Sequence, residues 1–435
     1  MRIIAEQIFL AGVESVLPDT LIRSQLKCEE GRLVIAGSSV SLPRHGHLYL
    51  LAAGKAASLM AKAAEEILSD HITEGQVVTK YGHSLPPGRL TVAEAGHPLP
   101  DAAGVEATRR MLSIAQKAEA DDRVLCLLSG GASSLMADLP EGCSLAEVIL
   151  GNDLLVRCGA DISEINTVRK HLSAVKGGQL AAAAAPATVI SLILSDVVGD
   201  DPGVIASGPT APDESTFADA LDVISRYALE ERFPEPLMRH LHRGAEGLLP
   251  ETPKPGAPLF RNVHNRIIGS NRLALEGAAR RAIELGFAAR IITDTLQGNY
   301  TEAADYILRT ISDYQSTERL RPLCLLFGGE PTLQVSGNGV GGRNQHLALW
   351  LATKIDSSSG ITLLCAGTDG TDGPTHAAGA VVDGRTLSDA QQKKIDAGDH
   401  LSRYDSFHFF QKAGGHIITG NTRTNVMDMV VVLLS

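Results

Sequence analysis

Short apolar runs that alternate with helix-like segments dominate residues 48–213 and restrict the chain to a narrow range of folds. The runs are LYLLAA, GQVVT, RLTVAEAG, RVLCLLSG and TVISLILSD. Continuous apolar strands flanked by helical periodicity indicate a parallel sheet that is covered on both faces. The sequence therefore predicts a doubly wound α/β domain.

The length of the chain predicts a second domain, and a proline-rich stretch marks where it begins. A chain of 435 residues exceeds the size at which one hydrophobic core stops growing. Residues 248–260, LLPETPKPGAPLF, contain four prolines and one glycine, which is typical of a stiff, extended connector. We therefore predict a first domain over 1–247 and a second domain over 261–435. A strand–helix–strand pattern over 265–294, followed by further apolar runs, predicts that the second domain is also α/β, with more hairpins.

Composition limits the partners and the compartment. The net charge of −11 disfavours nucleic acid and anionic membranes as partners, because an acidic surface repels phosphate. The six cysteines show neither a CxxC pair nor a metal-binding spacing, so they are expected to be buried free thiols. No run of 18 apolar residues is present, and the N-terminal segment is typical of an amphipathic helix rather than a signal sequence. We therefore expect a cytoplasmic protein, with the oligomeric state left open and a homodimer among the alternatives.

Two glycine-containing strand ends are candidate anion sites. Lys55 follows LYLLAAG and opens a helix, where the helix dipole opposes a positive charge by about 0.3–1 kcal/mol. An anionic ligand would offset this cost, and the alternative is an ordinary surface lysine. The second segment, LLSGGASSLM, lies between a strand and a helix, so its N–H groups could bind a phosphate or carboxylate, although a simple helix-capping turn explains it equally well. Its candidate residues are Ser129, Gly130, Gly131 and Ser133.

A third candidate is a basic helix face in EINTVRKHLSAVKGGQLA. Asn166, Arg169, Ser173 and Lys176 recur at helical spacing beside an apolar stripe, which predicts one helix with a core face and a basic face. The glycine pair that follows is expected to end this helix. Arg169 is the candidate ligand-binding residue, and the alternative is a solvated polar face.

Further polar residues follow predicted strands. Asp196 ends the very apolar run TVISLILSD, where a carboxylate could bind Mg²⁺ or accept a proton. The corresponding residues of the second half are Glu330, Arg343, Asp369, Asp372, Asn421, Asn425 and Asp428.

Together these residues favour phosphoryl transfer. That reaction needs cations at the transferred group, carboxylates for Mg²⁺ and a base beside the acceptor hydroxyl. GNGVGG, residues 337–342, also satisfies the GxGxxG dinucleotide pattern, but no acidic residue lies at a strand end about 20 residues later. A non-catalytic sugar-acid-binding module is a third alternative, although an anion binder gains nothing from several carboxylates without a metal.

Eight ordered motifs over nearly the whole chain resemble the glycerate 2-kinase family, also called MOFRL-domain proteins and often labelled hydroxypyruvate reductase. They are AAGKAA, LSGGASSLM, INTVRKHLSAVKGGQLA, SDVVGDDPGVIASGPT, GGEPTL, GGRNQH, AGTDGTDGPTHAAGA and TNVMD. The resemblance implies a Rossmann-like N-terminal domain, a smaller MOFRL-type α/β C-terminal domain and an active site in the cleft between them. It implies small-molecule substrates, D-glycerate and ATP, with Mg²⁺ as cofactor and 2-phosphoglycerate as product. By motif, the family's functional residues fall on Lys55, Asp196, Glu330, Arg343, Asp369 and Asn425.

The expected mechanism is in-line transfer of the γ-phosphoryl group of ATP to the 2-hydroxyl of glycerate. Lys55 and Arg343 would neutralise the phosphoryl oxygens, and Asp196 would act as the base. Glu330 and Asp369 would hold Mg²⁺, although these three carboxylate roles could be exchanged. The Ser129–Ser134 turn, helped by Arg169, would hold the glycerate carboxylate or a phosphate. The main alternative activity is an NAD(P)H-dependent hydroxypyruvate reductase.

Overall fold

The computed structural model describes residues 1–29, 32–35, 38–40, 46–86, 88–317, 322–355 and 360–435. The chain forms two compact units. The parallel-sheet unit comprises Pro18–Ser195 and Asp200–Ile268. The mixed-sheet unit comprises Met1–Leu17, Asp196–Gly199 and Gly269–Ser435.

Helices and strands alternate along most of the described chain. The α-helices are α1 (Arg2–Glu14), α2 (Pro18–Gln25), α3 (Ala57–Leu68), α4 (Ala102–Ala115), α5 (Ala132–Leu135), α6 (Leu145–Arg157), α7 (Ile162–His171), α8 (Gln179–Ala184), α9 (Phe217–Arg226), α10 (Glu235–Ala245), α11 (Asn271–Glu284), α12 (Tyr300–Thr317), α13 (Arg343–Ala352), α14 (Thr386–Gln392), α15 (Ala397–Ser402) and α16 (Ser406–Ala413). The strands are β1 (Leu26–Glu29), β2 (Arg32–Ile35), β3 (Ser38–Val40), β4 (Leu48–Ala53), β5 (Ile72–Lys80), β6 (Thr91–Ala95), β7 (Arg123–Leu128), β8 (Thr188–Leu194), β9 (Val263–Gly269), β10 (Ala288–Leu296), β11 (Leu323–Gly329), β12 (Ile361–Gly367), β13 (Gly379–Asp383), β14 (His416–Ile417) and β15 (Asp428–Leu434). Short 3₁₀ helices occupy Ser69–His71, Ile205–Ser207 and Pro258–Asn262.

The parallel-sheet unit is built on a six-stranded sheet with the order β6-β5-β4-β7-β8-β9. The first five strands in this order pair in parallel. Every residue of β4 is buried, as its continuous apolar sequence predicts. From β4 the chain moves outward to β5 and β6, then returns to place β7 on the other side of β4. The doubly wound α/β prediction is confirmed, and the strand order reverses between β4 and β7.

The strand–helix–strand pattern predicted over 265–294 is divided between the two sheets. Strand β9 lies next to β8 in the parallel-sheet unit, whereas α11 and β10 belong to the mixed-sheet unit. Thr210 Oγ1 donates to Asn265 Oδ1 at 2.7 Å, and Asn265 Nδ2 donates to Thr210 O at 2.9 Å. The strand, the helix and the second strand all form as predicted, but the first strand does not join the second domain, because periodicity identifies a strand but not the strand beside it.

The mixed-sheet unit contains a second six-stranded sheet, with the order β10-β11-β15-β12-β13-β14. Strand β15, DMVVVLL, is buried throughout and runs antiparallel to both β11 and β12. Strand β10 is parallel to β11, while β12, β13 and β14 pair in antiparallel fashion. The expected second α/β fold with hairpins is therefore confirmed.

The N-terminal helix α1 packs against α11 of the mixed-sheet unit. The contact depends on glycines that allow a close approach of the two backbones. A Cβ atom at Gly277 would lie 2.3 Å from Ser15 Oγ and 3.1 Å from Ala11 O. A Cβ atom at Gly12 would lie 2.9 Å from Ala274 O. Helix α1 is thus fixed to a helix that lies far from it in sequence.

The observed units differ from the predicted domains at two places. Residues 1–17 group with the C-terminal part of the chain rather than with the predicted first domain over 1–247. The predicted connector over 248–260 lies within the parallel-sheet unit, because this unit continues through β9 to Ile268. Both differences arise from contacts between segments that are distant in sequence.

Replacing Gly277 by valine is expected to destabilise the mixed-sheet unit by about 1–3 kcal/mol, because the added methyl groups would overpack the α1–α11 contact. Thermal denaturation followed by circular dichroism should show a lower Tm. Gly398→Val is the matched control, since a Cβ atom at Gly398 would meet Asp396 Oδ1 at 3.3 Å and, outside the backbone of its own helix and its chain neighbours, no other described atom within 4 Å. Equal Tm values for the two variants would contradict the proposed close packing.

Composition-based expectations are partly met. The cysteines are all free thiols; Cys126, Cys324 and Cys365 are buried as expected, whereas Cys28 is exposed and Cys143 and Cys158 are half-buried. The expectation that all six are buried was therefore wrong, because these three do not lie in buried strands.

Among the described residues, none of the helices combines the length and the apolar composition that crossing a membrane requires.

Candidate active site

The reversal point between β4 and β7 carries residues predicted to bind an anion. Ala53, the last residue of β4, pairs with Val78 of β5 and with Leu128 of β7. The loops that contain Lys55 and Ser129 therefore begin side by side at the carboxyl edge of the sheet. Open α/β sheets bind their ligands at this position.

These two loops are in close contact at Gly54 and Ser129. Gly54 has a φ of 127°, and a Cβ atom there would lie 2.2 Å from Ser129 Oγ. Ser129 Oγ accepts a hydrogen bond from Ala56 N at 3.1 Å, and Lys55 N donates to Gly130 O at 3.0 Å. Only glycine permits both this backbone conformation and this approach. The backbone of Lys55 is thereby fixed against the turn at Gly130.

The side chain of Lys55 lies beside Gly131 and His97. A Cβ atom at Gly131 would lie 3.3 Å from Lys55 Cε and 2.9 Å from His97 Nε2. Burial, together with the positive charges of Lys55 and Lys80, lowers the pKa of His97 to about 4, so this imidazole is neutral at pH 7. Burial is the larger cause of this shift, and the smaller contribution of the two lysines places positive charge near His97, which favours an anion. Sequence reasoning missed His97, which belongs to none of the motifs considered.

Ser133 is linked by hydrogen bonds to an unusual turn. Ser133 Oγ lies 2.8 Å from Ser207 Oγ, and Ser207 Oγ donates to buried Asn166 Oδ1 at 3.0 Å. Ala206 and Ser207 have φ values of 55° and 59°, which residues with side chains seldom adopt. Such strain is concentrated at functional sites. Ser207 was not singled out from the sequence, although it lies within the motif SDVVGDDPGVIASGPT.

Arg169 and Ser133 line the same cavity, which has a volume of about 410 Å³. Arg169 Nε donates to Asn152 Oδ1 at 2.8 Å. Burial lowers the pKa of Arg169 from its ordinary value. The structure therefore brings together two of the residues that were predicted to bind an anion.

The basic helix face is shorter than predicted. Helix α7 ends at His171, so Ser173 and Lys176 lie beyond it. Lys176 is buried; its Nζ donates to Met136 O at 3.0 Å and lies 3.4 Å from Asp138 Oδ1. The glycine pair precedes α8 instead of ending α7. The prediction of one continuous helix was wrong: the apolar period continues past His171, but the chain there forms turns that lead to α8.

Asp196, the predicted base, lies two residues after β8 and is half-buried. It is the first residue of the segment Asp196–Gly199, which groups with the mixed-sheet unit. The position after a mainly apolar strand agrees with the sequence pattern. The role of Asp196 as a base stays a prediction.

In the mixed-sheet unit, three strands meet at Asp428. This first residue of β15 pairs with Gly329 at the end of β11 and with Gly367 at the end of β12. Glu330 directly follows β11, and Asp369 follows β12. The sheet register therefore gathers these carboxylates at one edge.

Arg343 is held by two carboxylates. Its Nε donates to Asp428 Oδ2 at 2.5 Å and its Nη2 donates to Asp428 Oδ1 at 3.1 Å, while Nη1 lies 2.9 Å from Glu330 Oε1. Burial opposes the charge of Arg343, but the carboxylates outweigh burial and raise its pKa. The structure thus brings together Arg343 and Glu330, and it gives Asp428 an orienting role that the sequence did not specify.

Asp372 caps the helix that begins with Arg343. Asp372 Oδ1 accepts from Asn344 N at 3.0 Å, and Oδ2 accepts from Gln345 N at 2.8 Å. These bonds supply the capping group that Gly342, at the N-cap, cannot provide. Burial raises the pKa of Asp372 to about 6, although the N–H groups oppose that shift. Asp372 is therefore a positioning residue for Arg343.

Asp369 and Asn425 each accept hydrogen bonds within their own turns. Asp369 Oδ1 accepts from Thr371 N at 3.0 Å and from Thr371 Oγ1 at 3.2 Å. Asn425 Oδ1 accepts from Met427 N at 3.1 Å. Both residues are half-buried, so these bonds fix their side chains at the surface of the unit.

Asp369 and Asp428 approach the same point. A Cβ atom at Gly367 would lie 3.3 Å from Asp369 Oδ1 and 3.4 Å from Asp428 Oδ1. Within the described ranges, no three His, Cys, Asp or Glu side chains form a group that could hold a metal ion. Mg²⁺ commonly takes one or two carboxylates together with substrate phosphates. The role of Asp369 and Glu330 in holding Mg²⁺ stays a prediction.

The GNGVGG segment lacks the setting of a dinucleotide fingerprint. Strand β11 ends at Gly329, so the first glycine of the motif, Gly337, does not directly follow a strand. Gly339 N donates to Arg403 O at 2.9 Å, and Val340 N donates to Asp405 Oδ1 at 3.0 Å. These N–H groups are engaged by the protein rather than directed at a pyrophosphate. The geometry therefore argues against a dinucleotide-binding turn here.

Comparison with known proteins connects both halves of the chain to one family. Residues 4–242 match a family described as a domain of unknown function, DUF4147, and residues 323–428 match the MOFRL family. A D-glycerate 2-kinase from Thermotoga maritima is 42% identical over 100% of this chain and 98% of its own length. A putative hydroxypyruvate reductase from Agrobacterium vitis is 37% identical over 100% of this chain and 94% of its own. A crystal structure of glycerate kinase from Thermotoga maritima, 41% identical, superposes with a TM-score of 0.88 over 100% of this chain and 99% of that chain.

Proposed function

The chain belongs to the glycerate 2-kinase family, and from this membership we propose that it transfers the γ-phosphoryl group of ATP to the 2-hydroxyl of D-glycerate. The observation that carries the proposal is the similarity over nearly full length to a D-glycerate 2-kinase and to the structure of a glycerate kinase. The products are 2-phosphoglycerate and ADP.

Lys55 is proposed to neutralise the transferred phosphoryl group. Its backbone is fixed against Gly130, and its side chain lies beside Gly131. Negative charge is spread over the phosphoryl oxygens in the transition state, so a cation that is already in place lowers the barrier without further reorganisation.

The turn from Ser129 to Ser134 is proposed to hold an anionic group of the substrates, either the glycerate carboxylate or a phosphate. The positive charges of Lys55 and Lys80, which add to the effect of burial in lowering the pKa of His97, support this role. Ser133 and Arg169 can assist, because both line the adjoining cavity.

Arg343 is proposed as the second cation, and Asp196 as the base. Asp428 and Glu330 fix the direction of the Arg343 guanidinium. Asp196 accepts the proton of the 2-hydroxyl as the bond from that oxygen to phosphorus forms and the bond from phosphorus to the leaving ADP oxygen breaks. Asn425 is proposed to bind substrate.

Glu330 and Asp369 are proposed to hold Mg²⁺ together with phosphate oxygens of ATP. When bound, Mg²⁺ neutralises charge on the β- and γ-phosphates. The contacts described above involve Oε1 of Glu330 and Oδ1 of Asp369. The second oxygen of each carboxylate is the candidate ligand.

Phosphorus-31 NMR of a reaction that contains Mg-ATP and D-glycerate tests the proposal. The expected result is a 2-phosphoglycerate signal that grows with ADP. The matched control is incubation with NADH and hydroxypyruvate, in which the NADH absorbance should stay constant. NADH oxidation without phosphoryl transfer would support a reductase instead, and 3-phosphoglycerate as the sole product would contradict the assignment to the 2-hydroxyl.

A further inference from the structure

The geometry points to the cavity lined by Ser133 and Arg169 as the site for the nucleoside part of ATP. Its volume of about 410 Å³ lies within the range of about 300–1,000 Å³ that is typical of pockets enclosing drug-sized ligands. This inference rests on the proposed kinase function. It goes further than that function by assigning the cavity to the nucleoside end of ATP.

The cavity walls are mainly apolar. The segment 98–100 contributes a leucine between two prolines, and helix α6 contributes Val148, Ile149 and Val156. A flat nucleobase gains free energy by burying its faces against such side chains. Glycerate carries an oxygen on each of its three carbons, so it has almost no apolar surface to bury there.

The acidic side chains of the cavity are paired within the protein. Asp138 accepts from Ser173 Oγ at 2.8 Å and lies 3.4 Å from Lys176 Nζ. Asp153 lies 2.8 Å from Arg157 Nε. These contacts offset the negative charges that would otherwise repel a nucleotide.

Arg169, the arginine of the cavity, contacts a neutral side chain rather than a carboxylate. Arg169 Nε donates to the neutral side chain of Asn152, so this contact leaves the positive charge uncancelled. Its guanidinium is therefore a partly desolvated cation in a mainly apolar cavity. This combination suits a ligand that is apolar at one end and anionic at the other, as a nucleotide is.

The cavity also continues into the region proposed to bind phosphate. Ser133 and Ser134 belong to the glycine-containing turn and line the cavity. His97, which approaches Gly131, immediately precedes the 98–100 wall. A nucleoside in the cavity would therefore direct its phosphates toward the turn where Lys55 lies.

Filling the cavity with Ile149→Trp tests the assignment. Ile149 lines the cavity and is half-buried, whereas Leu150, the next residue of α6, is 47% exposed and lies outside the cavity lining. Ile149→Trp should raise the KM for ATP by about 10-fold or more while the KM for D-glycerate changes less than about 2-fold, because only nucleotide binding is obstructed. The matched control Leu150→Trp should change neither value. Circular dichroism melting curves establish that both variants are folded.

Calorimetric titration with adenosine gives an independent readout. Wild type and Leu150→Trp should bind adenosine, and Ile149→Trp should not. A rise in the KM for D-glycerate alone, an equal rise in both KM values, or an unchanged KM for ATP would overturn the assignment. Adenosine binding that Ile149→Trp abolishes, in a protein that transfers no phosphoryl group to glycerate, would support the cavity assignment and contradict the proposed function. Phosphoryl transfer to D-glycerate with a KM for ATP that Ile149→Trp leaves unchanged would support the proposed function and contradict the cavity assignment.

Discussion

Replacing Lys55 by methionine is expected to lower kcat by about 10³-fold or more while the protein stays folded. Methionine keeps much of the length of the side chain but removes the charge that is proposed to neutralise the phosphoryl oxygens. The backbone contacts of the loop, from Lys55 N to Gly130 O and from Ala56 N to Ser129 Oγ, do not depend on the side chain. The measurement is steady-state turnover of D-glycerate with saturating Mg-ATP, together with a circular dichroism melt.

Lys62→Met is the matched control for this prediction. Lys62 lies on α3, the helix that follows the Lys55 loop, and it is exposed to solvent. Its replacement should leave kcat within about 2-fold of wild type, because surface charges away from a site contribute little. If Lys55→Met kept more than about a tenth of the wild-type turnover, a transition-state role for this cation would be abandoned.

Replacing Arg343 is expected to have the second-largest effect on activity. Arg343→Lys keeps one positive charge, but an ammonium group cannot reproduce the two bonds that the guanidinium donates to Asp428 while also contacting Glu330. We expect kcat to fall by about 10²-fold or more, since a misplaced cation stabilises the transition state poorly. The kinetic assay is the one used for Lys55→Met.

A stability effect must be separated from this kinetic effect. Arg343→Ala leaves the carboxylate of Asp428, whose side chain is 4% exposed, without its partner, which costs about 3–5 kcal/mol. The double variant Arg343→Ala with Asp428→Asn removes that buried charge. It should regain much of the lost stability but none of the lost activity. Recovery of turnover in the double variant would show that Arg343 acts only through folding.

The strands and their carboxyl ends could be predicted from the sequence because they depend on local patterns. The run LYLLAA becomes β4 with the predicted limits, and the apolar C-terminal run becomes the buried strand β15. Since ligands bind where such strands end, Lys55, Ser129 and Glu330 could be named before any contact was known. Their placement follows from the sheet register, whereas their catalytic roles stay predictions.

The side-chain pairings of the candidate site could not be predicted from the sequence, because they depend on contacts between distant segments. His97 approaches Gly131 only because two loops fold together, and Ser207 reaches Ser133 only through the turn after β8. Asp428 was noticed as a polar residue, but its pairing with Arg343 requires the antiparallel register of β11, β12 and β15. Periodicity describes one element at a time, so it cannot supply such pairings.

The packing of α1 against α11 has a consequence for how the chain folds during translation. Helix α1 leaves the ribosome before the parallel-sheet unit, whereas the helix and strands that cover it are synthesised after that unit. Its apolar residues, including Ile8, Phe9 and Val13, therefore lack their final neighbours for most of synthesis. Because domains usually acquire their structure in the order of synthesis, we expect α1 to dock only after α11 and the strands of the mixed-sheet unit have been synthesised.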